Sequence, residues 1–284
     1  MKSMKKSRIA ELHRISYALR LKALEMIWHA KAGHASPAYS MCDILTVLYF
    51  EKMRLDPQAP DWEERDRFVL SKGHACATYY AALARRGFFP EDRLLAYRQL
   101  DSMLAGHPDA KSVPGVEVST GSLGNGVSCA LGMAMVAKRT EKSHRVYAIA
   151  GDGELQEGIV WEAAMAAGNY GLDNFTLIVD CNGLQSGGDV RDIMDIAPLA
   201  DKFKSFKWCI HVIDGHNIEE ICDAIDLAGK QEGKPHVILA KTVKGKGVSY
   251  MENRYEWHMK APTDEEYAQA VGELERGMHL YDQE

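Results

Sequence analysis

The sequence lacks any run of roughly eighteen apolar residues, the length a helix needs to cross a bilayer. Its N-terminus lacks the apolar stretch and small-residue cleavage site of a secretory leader. The expectation is a cytoplasmic protein with no membrane partner. There is no Cys-x-x-Cys pair: Cys42, Cys76, Cys129, Cys181, Cys209 and Cys222 are scattered through apolar segments. That scatter excludes a zinc ribbon or a disulfide scaffold and leaves reduced thiols filling the core. Basic charge is not in excess, since 34 Lys and Arg against 40 Asp and Glu give a formal charge of −6. Nothing in that balance calls for nucleic acid, and the basic run from Lys2 to Arg8 is short enough to be a solvated tail. No repeat, low-complexity tract or linker interrupts the chain. Its 284 residues, 46% hydrophobic and 26% charged, therefore read as one α/β domain over residues 1–284, with a helix at each end.

What is present centres on the run from Gly151 to Leu184. Val146–Ala150 is a short apolar segment of the kind buried in a parallel sheet, and Gly151-Asp152-Gly153 breaks it where the chain must turn. A helix follows over about Gly158 to Tyr170, with Val160, Ala163, Ala164 and Ala167 near helical spacing, and Phe175–Val179 supplies the next strand. In such a βαβ unit ligands sit outside the carboxyl ends of the strands, so Asp152 and Asn182 emerge on one edge. Gly-Asp-Gly alone reads first as a turn with an aspartate cap. Paired with Asn182 at the next strand tip it reads as a metal site. A carboxylate, an amide oxygen and the Leu184 carbonyl are hard donors suited to Mg²⁺ or Ca²⁺, with phosphate oxygens completing the shell.

The same alternation extends outward. An amphipathic helix spans about Ser7 to Lys31 and a second about Ser40 to Met53. Arg67–Leu70 is a strand leading through Ser71-Lys72-Gly73-His74 into a helix, and Pro90–Gln99 is expected to be another helix. Asp101–Gly121 is rich in loops. Cys209–Ile213, a helix capped at Asn217 with Glu220 as its box partner, and Val237–Ala240 continue the pattern. Tyr250–Glu284 reads as a loop and an appended helix. The fold class is a doubly wound, mostly parallel α/β sheet flanked by helices.

Gly121-Ser122-Leu123-Gly124-Asn125-Gly126 has the wrong spacing for a dinucleotide fingerprint. It suits either close backbone approach to a flat ring or phosphate, or a helix start that needs small residues. His34, His74, His107 and His258 each stand beside a glycine, proline or aromatic turn element. A single loop histidine is usually solvated, although the imidazole can move protons near neutral pH. His144, His211 and His216 are left unassigned.

The stretch from Gly151 to Leu184, with Glu154-Leu155-Gln156-Glu157-Gly158 and Trp161-Glu162-Ala163 inside it, resembles the thiamine-diphosphate motif of transketolases. Gly33-His34, Ser71-Lys72-Gly73-His74-Ala75, Gly106-His107-Pro108, Ser119-Thr120-Gly121-Ser122-Leu123-Gly124 and Lys244-Gly245-Lys246-Gly247 before Trp257-His258 follow in transketolase order. The resemblance implies thiamine diphosphate with Mg²⁺ or Ca²⁺ held by Asp152, Asn182 and Leu184. It implies that His74, His258 and the Gly153 N–H contact the diphosphate, and that Gly121, Ser122 and Leu123 line the thiazolium side. His34, His107 and His258 would face substrate hydroxyls. Many transketolases have Pro at the Ser122 position and Gln at the Asn125 position, and Ala35-Ser36-Pro37 follows His34 here; these differences bear on substrate more than on cofactor.

Full transketolases resemble this chain over their first part only. The resemblance therefore implies the N-terminal subunit of a split transketolase, moving a two-carbon ketol unit from a ketose phosphate to an aldose. A separate C-terminal subunit would supply the glutamate that protonates the aminopyrimidine, Glu157 would meet it from this side, and the assembly would be an α2β2 heterotetramer. The competing readings are the α subunit of a 2-oxoacid dehydrogenase and a non-catalytic partner of the same fold.

Overall fold

The structure is a computed structural model that describes residues 4–282. Helix α1 (Lys6–Ala30) buries Leu12, Ile15, Leu19, Ala23 and Ile27, which recur at three- and four-residue steps. The basic run is helical from Lys6 onward, and Arg8 pairs with Glu51 at 2.8 Å, so it is not a free tail; Lys2 and Ser3 lie outside the described residues. The helix expected over Ser40–Met53 is present as α3 (Cys42–Val47) continued by a π-helical turn over Leu48–Lys52, and a short helix that was not expected, α2 (Ala35–Ser40), precedes it. Every residue of α2 and α3 is buried, so apolar spacing there marks no face and cannot fix a boundary.

Strand β1 (Arg67–Leu70) leads through a 3₁₀ turn at Gly73–Ala75 into α4 (Cys76–Arg86). Pro90–Gln99, expected as a helix, forms only a 3₁₀ stretch over Glu91–Ala96. Within that stretch only Leu94 is buried, and too little apolar surface is packed to stabilise longer helix. Next comes α5 (Asn125–Arg139), so the Gly121–Gly126 run does open a helix; β2 (Val146–Gly151), α6 (Gly158–Asn169) and β3 (Phe175–Cys181) follow close to the expected bounds. A two-residue hairpin, β4 (Leu184–Gln185) with β5 (Gly188–Asp189), and the short helices α7 (Val190–Met194) and α8 (Leu199–Ser205) follow; all are too short to show a period. The chain continues through β6 (Cys209–Asp214), α9 (Ile218–Lys230), β7 (His236–Lys241) and α10 (Asp264–His279).

Asn217 caps α9 by accepting from the N–H groups of Glu219 and Glu220. Glu220 does not close the expected box on the Asn217 backbone; it accepts from the Asp214 N–H and the Asn217 side chain. At the other end of the chain, α10 docks on α1, with Trp28 donating to Asp264 at 2.8 Å and stacking on Tyr267 at 4.4 Å. Core filling holds for Cys42, Cys76 and Cys222, whereas Cys129 is exposed and Cys181 and Cys209 are half-buried; none is in a disulfide.

The five long strands are all parallel, in the order β1-β2-β3-β7-β6. Side chains alternate between two cores, as the pleat requires. Val146, Ala148 and Ala150 face α5 and α6, while Tyr147 and Ile149 face the layer of α1, α3, α4 and α9. From β1 the chain adds β2 and β3 in one direction, then crosses to the far edge for β6 and returns to insert β7 beside β3. The winding reverses between β3 and β7, where a doubly wound sheet opens its ligand crevice. Register pairs Gly151 with Asp180 and Asp180 with Ala240, so the loops after β2, β3 and β7 leave the sheet side by side.

Ile178 sits in the central strand with no exposed surface, whereas Ile193 on α7 is 47% exposed. Ile178→Ala is expected to cost about 2–5 kcal/mol through lost burial and the cavity left behind. Ile193→Ala should stay within about 0.5 kcal/mol. Urea unfolding of the two variants checks this, and equal midpoints would contradict the assignment of the core.

Candidate functional site

Outside the carboxyl ends of β2, β3 and β7 lies a cavity of about 370 Å³. Its wall includes His34, Lys72, His74, Gly121, Leu123, Asp152, Gly153, Glu157, Asn182, Leu184, Lys244 and His258. Of the residues expected from sequence, His107 and Ser122 are outside this wall. His107 stands at the mouth, its ring 3.5 Å from where a Cβ on Gly121 would sit, and Ser122 is exposed. Glu157 is exposed at the rim.

The acidic side of the cavity is built on strand tips. Asp152 accepts from the N–H of Gly153 at 2.8 Å and of Gly183 at 2.6 Å, which ties the β2 tip to the loop after β3. Burial, then the neighbouring Asp180, push its carboxyl up to about 6 against those two hydrogen bonds. A cation close by would reverse that shift. Asn182 donates its amide to Asp180 at 3.0 Å, which fixes which way the side chain faces and leaves its oxygen to accept from the Leu184 N–H at 3.1 Å. The Leu184 carbonyl accepts from Lys244 Nζ at 2.7 Å. A carboxylate, an amide oxygen and a carbonyl thus meet at one corner, with an ammonium on the carbonyl a metal would use. Among the described residues no group of three His, Cys, Asp or Glu side chains forms a metal cluster. This donor set fits a hard cation only if a phosphate-bearing ligand brings the remaining oxygens and charge.

The basic side is unusual in its protonation. The rings of His34, His74 and His258 lie 5.1 to 5.5 Å apart in a triangle. Burial and the positive charges of Arg98 and Lys244 lower His34 to about 4, and burial with Lys244 lowers His258 to about 3. His74 falls well below its ordinary value through burial and Lys72. Three neutral imidazoles therefore face the cavity, and Nδ1 of His34 and of His258 are buried with no hydrogen-bond partner among the described residues. Lys244 is itself lowered to about 8, by burial and then by Lys72. It makes no ion pair among the described residues, so its charge is available to an anion.

Several members of this site carry no role on sequence grounds. Asp180 is fully buried and accepts from Ser40 at 2.5 Å, from Asn182, and from Lys72 and Thr242 in short contacts. Glu154 accepts from Ser71 at 2.5 Å and from the N–H groups of Gly124 and Gly151, so one carboxylate pins the glycine loop to two strand tips. Gly124 has φ 82°, and a Cβ there would lie 2.6 Å from Ile159. That loop can run so close to α6 only without a side chain. Lys72, Asp180, Glu154 and Lys244 all stand inside motifs visible in the sequence; their charge at a strand tip is the available signal.

With this geometry in place, the comparisons with known proteins decide the family. Residues 12–279 match the thiamine-diphosphate-binding domain of transketolases. The chain belongs to the transketolase family. It is 41% identical over 94% of its length to the 6-deoxy-6-sulfo-D-fructose transketolase subunit SqwG of Clostridium sp. (strain MSTE9), of which it covers 97%. It is 39% identical to one subunit of the apulose-4-phosphate transketolase of Phocaeicola vulgatus, with 93% of this chain and 94% of that one aligned. Human transketolase is 41% identical over 85% of the chain, which spans 38% of it. The crystal structure of Campylobacter jejuni transketolase superposes with a TM-score of 0.88 at 33% identity, over 96% of this chain and 45% of that one. This transketolase-family chain thus spans under half of those two full-length enzymes and nearly all of the named subunits. The α/β fold class and the transferase family follow, and the 2-oxoacid dehydrogenase alternative is not favoured. No helix among the described residues is long and apolar enough to cross a membrane.

Because His34 and His258 have folded values near 4 and 3 against an unfolded value of 6.5, the unfolded chain binds more protons between them. Their contribution is present above pH 6.5 and is lost as pH falls toward 3. Between pH 7 and 4 the unfolding midpoint should drop, and the double variant His34→Asn, His258→Asn should show a shallower drop. Parallel curves for the two chains would contradict the neutral-histidine cluster.

Proposed function

We propose that this chain is the N-terminal, diphosphate-binding subunit of a two-chain transketolase, forming one domain that works with a separate C-terminal subunit in an α2β2 assembly. The observation that carries the reading is the corner where Asp152, Asn182, the Leu184 carbonyl and Lys244 meet at neighbouring strand tips. The two-chain form rests on the named subunits that the chain matches nearly end to end.

In this reading Asp152, Asn182 and Leu184 hold Mg²⁺ or Ca²⁺, and Lys244, His74 and His258 take the negative charge of thiamine diphosphate. The Gly153 N–H, given to Asp152 in this structure, is shared with the diphosphate. Gly121, Ser122 and Leu123 border the thiazolium side. When bound, thiamine diphosphate supplies the electron sink for breaking and making the carbon–carbon bond. The chain supplies orientation and proton handling. His34 and His258 are neutral at physiological pH, so each imidazole has a nitrogen to hydrogen-bond a substrate hydroxyl, and an anion bound beside them would raise their basicity toward the range in which they accept and return its proton. His107 joins them from the mouth, and Glu157 at the exposed rim is the contact offered to the partner's acid. The substrate class is a ketose bearing a phosphate or sulfonate, as the names of the two subunit relatives specify a sulfo sugar and a sugar phosphate.

In the reconstituted two-chain enzyme, Asp152→Ala should weaken Mg²⁺-dependent thiamine-diphosphate binding by roughly 100-fold or more, the scale on which metal shells respond to a lost partner. Fluorescence titration measures it, and affinity within twofold of the parent would reject the metal site. Ketol transfer from a ketose phosphate should appear only on mixing the two chains. Turnover by this chain alone would reject the split-enzyme reading.

A further inference from the structure

The residue after β7 that carries the cavity's unpaired ammonium, Lys244, sits on a loop pinned one residue at a time. The Thr242 N–H donates to the Cys181 carbonyl, and the Gly245 N–H donates to the Ser36 carbonyl at 3.0 Å. Gly245 has φ 79°, and a Cβ there would meet the Met251 carbonyl at 2.4 Å, so the chain cannot drift without opening that contact. Between them, the Val243 N–H finds no backbone acceptor among the described residues. It donates to Nε2 of His216 at 2.8 Å, from the turn between β6 and α9.

That bond settles the state of the ring. Because Nε2 accepts, the neutral ring carries its proton on Nδ1, which lies 2.7 Å from Asp43 Oδ2 and donates to it. Asp43 is buried on α3 and is held as an acceptor by Arg20 at 2.6 Å and Ser16 at 2.6 Å. Arg20 in turn donates to the Tyr39 carbonyl at 3.0 Å. A chain of donors and acceptors therefore runs from α1 through α3 to the backbone beside Lys244. Each link has one direction only, since a guanidinium cannot accept and a carboxylate cannot donate. A histidine is suited to the last link because it gives a proton to a carboxylate on one side and takes one from an amide on the other.

We propose that His216 is a positioning residue for Lys244: with its tautomer fixed by Asp43, it fixes the Val243–Lys244 backbone and so aims the ammonium at the Leu184 carbonyl and the anion-binding side of the cavity. This rests on the proposed role of Lys244 toward a diphosphate. His216 itself is not part of the cavity wall.

Two substitutions separate the links. In His216→Asn the side-chain amide keeps a donor near the Nδ1 position for Asp43 but cannot reach Val243, whereas in His216→Gln the amide oxygen takes the place of Nε2. In the full-length chain, H216N should speed amide hydrogen exchange at Val243–Gly247 by tenfold or more while β6 and β7 keep their protection, and H216Q should restore most of it. Unchanged exchange in H216N, or a uniform loss across β6 and β7, would overturn the proposal. In the two-chain enzyme with Mg²⁺ and inorganic pyrophosphate as the probe, H216N and Lys244→Met should each weaken binding about five- to tenfold. The double variant should be no weaker than K244M alone; additive losses would overturn the coupling. If the parent enzyme binds no pyrophosphate, the cofactor-site reading fails, and the exchange result still decides whether His216 holds the loop.

Discussion

The architecture around the cavity depends on the buried carboxylate of Asp180. It lies at the tip of the central strand β3 with no exposed surface, in an interior where an uncompensated charge is prohibitive. Burial opposes its ionisation, but Lys72, Ser40 and Thr242 outweigh that and hold it below the ordinary carboxylate range. Its donors come from α2, the loop after β1, the loop after β7 and the turn after β3 itself. Removing any one would leave a buried charge under-satisfied, which is why four segments distant in sequence are held in one arrangement. The Asn182 amide orientation follows from the same carboxylate.

Glu154 does for the glycine loop what Asp180 does for the strand tips, and Asp43 does it for the segment before Lys244. In each case a carboxylate serves structure, accepting backbone and side-chain donors with little left for a ligand. Asp152 differs: its only donors among the described residues are two backbone N–H groups, and the neighbouring Asp180 carboxylate adds to burial in raising its pKa, so it is the acid with most to gain from a cation. The bases divide in the same way. Lys72 is paired, whereas Lys244 faces the cavity holding one neutral carbonyl. The cavity thus sets a raised carboxyl at Asp152 against an ammonium at Lys244 that makes no ion pair among the described residues.

Full-length transketolases give this arrangement its context. The fold is retained at a TM-score of 0.88 although the chain spans 45% of the Campylobacter enzyme. His107 and Glu157 stand exposed at the edge of the cavity.

The strand–turn–helix alternation, the parallel doubly wound class and the pairing of Asp152 with Asn182 are all legible in the sequence. Apolar period and turn residues are local properties, and in a parallel sheet adjacent strands necessarily bring their carboxyl-end loops together. Where periodicity carries no information, sequence pattern misleads. The fully buried α2 goes unread and the poorly packed stretch around Glu91–Ala96 reads as a full helix, while the two-residue strands leave no trace. The four loop histidines are visible as candidates, but that three of them form a triangle and stay neutral is not. Burial and the charges of Lys72, Lys244 and Arg98 lower their pKa values; Lys72 shares a turn with His74, but Lys244 and Arg98 reach the cluster from other loops. His216 stands in a glycine turn, but nothing local points to its partners Asp43 and Val243. The sequence by itself determined which residues stand at strand tips, because that follows from short-range pattern. Only the tertiary structure decided their protonation and their partners, because both depend on charges and donors that folding draws from distant parts of the chain into a medium without water.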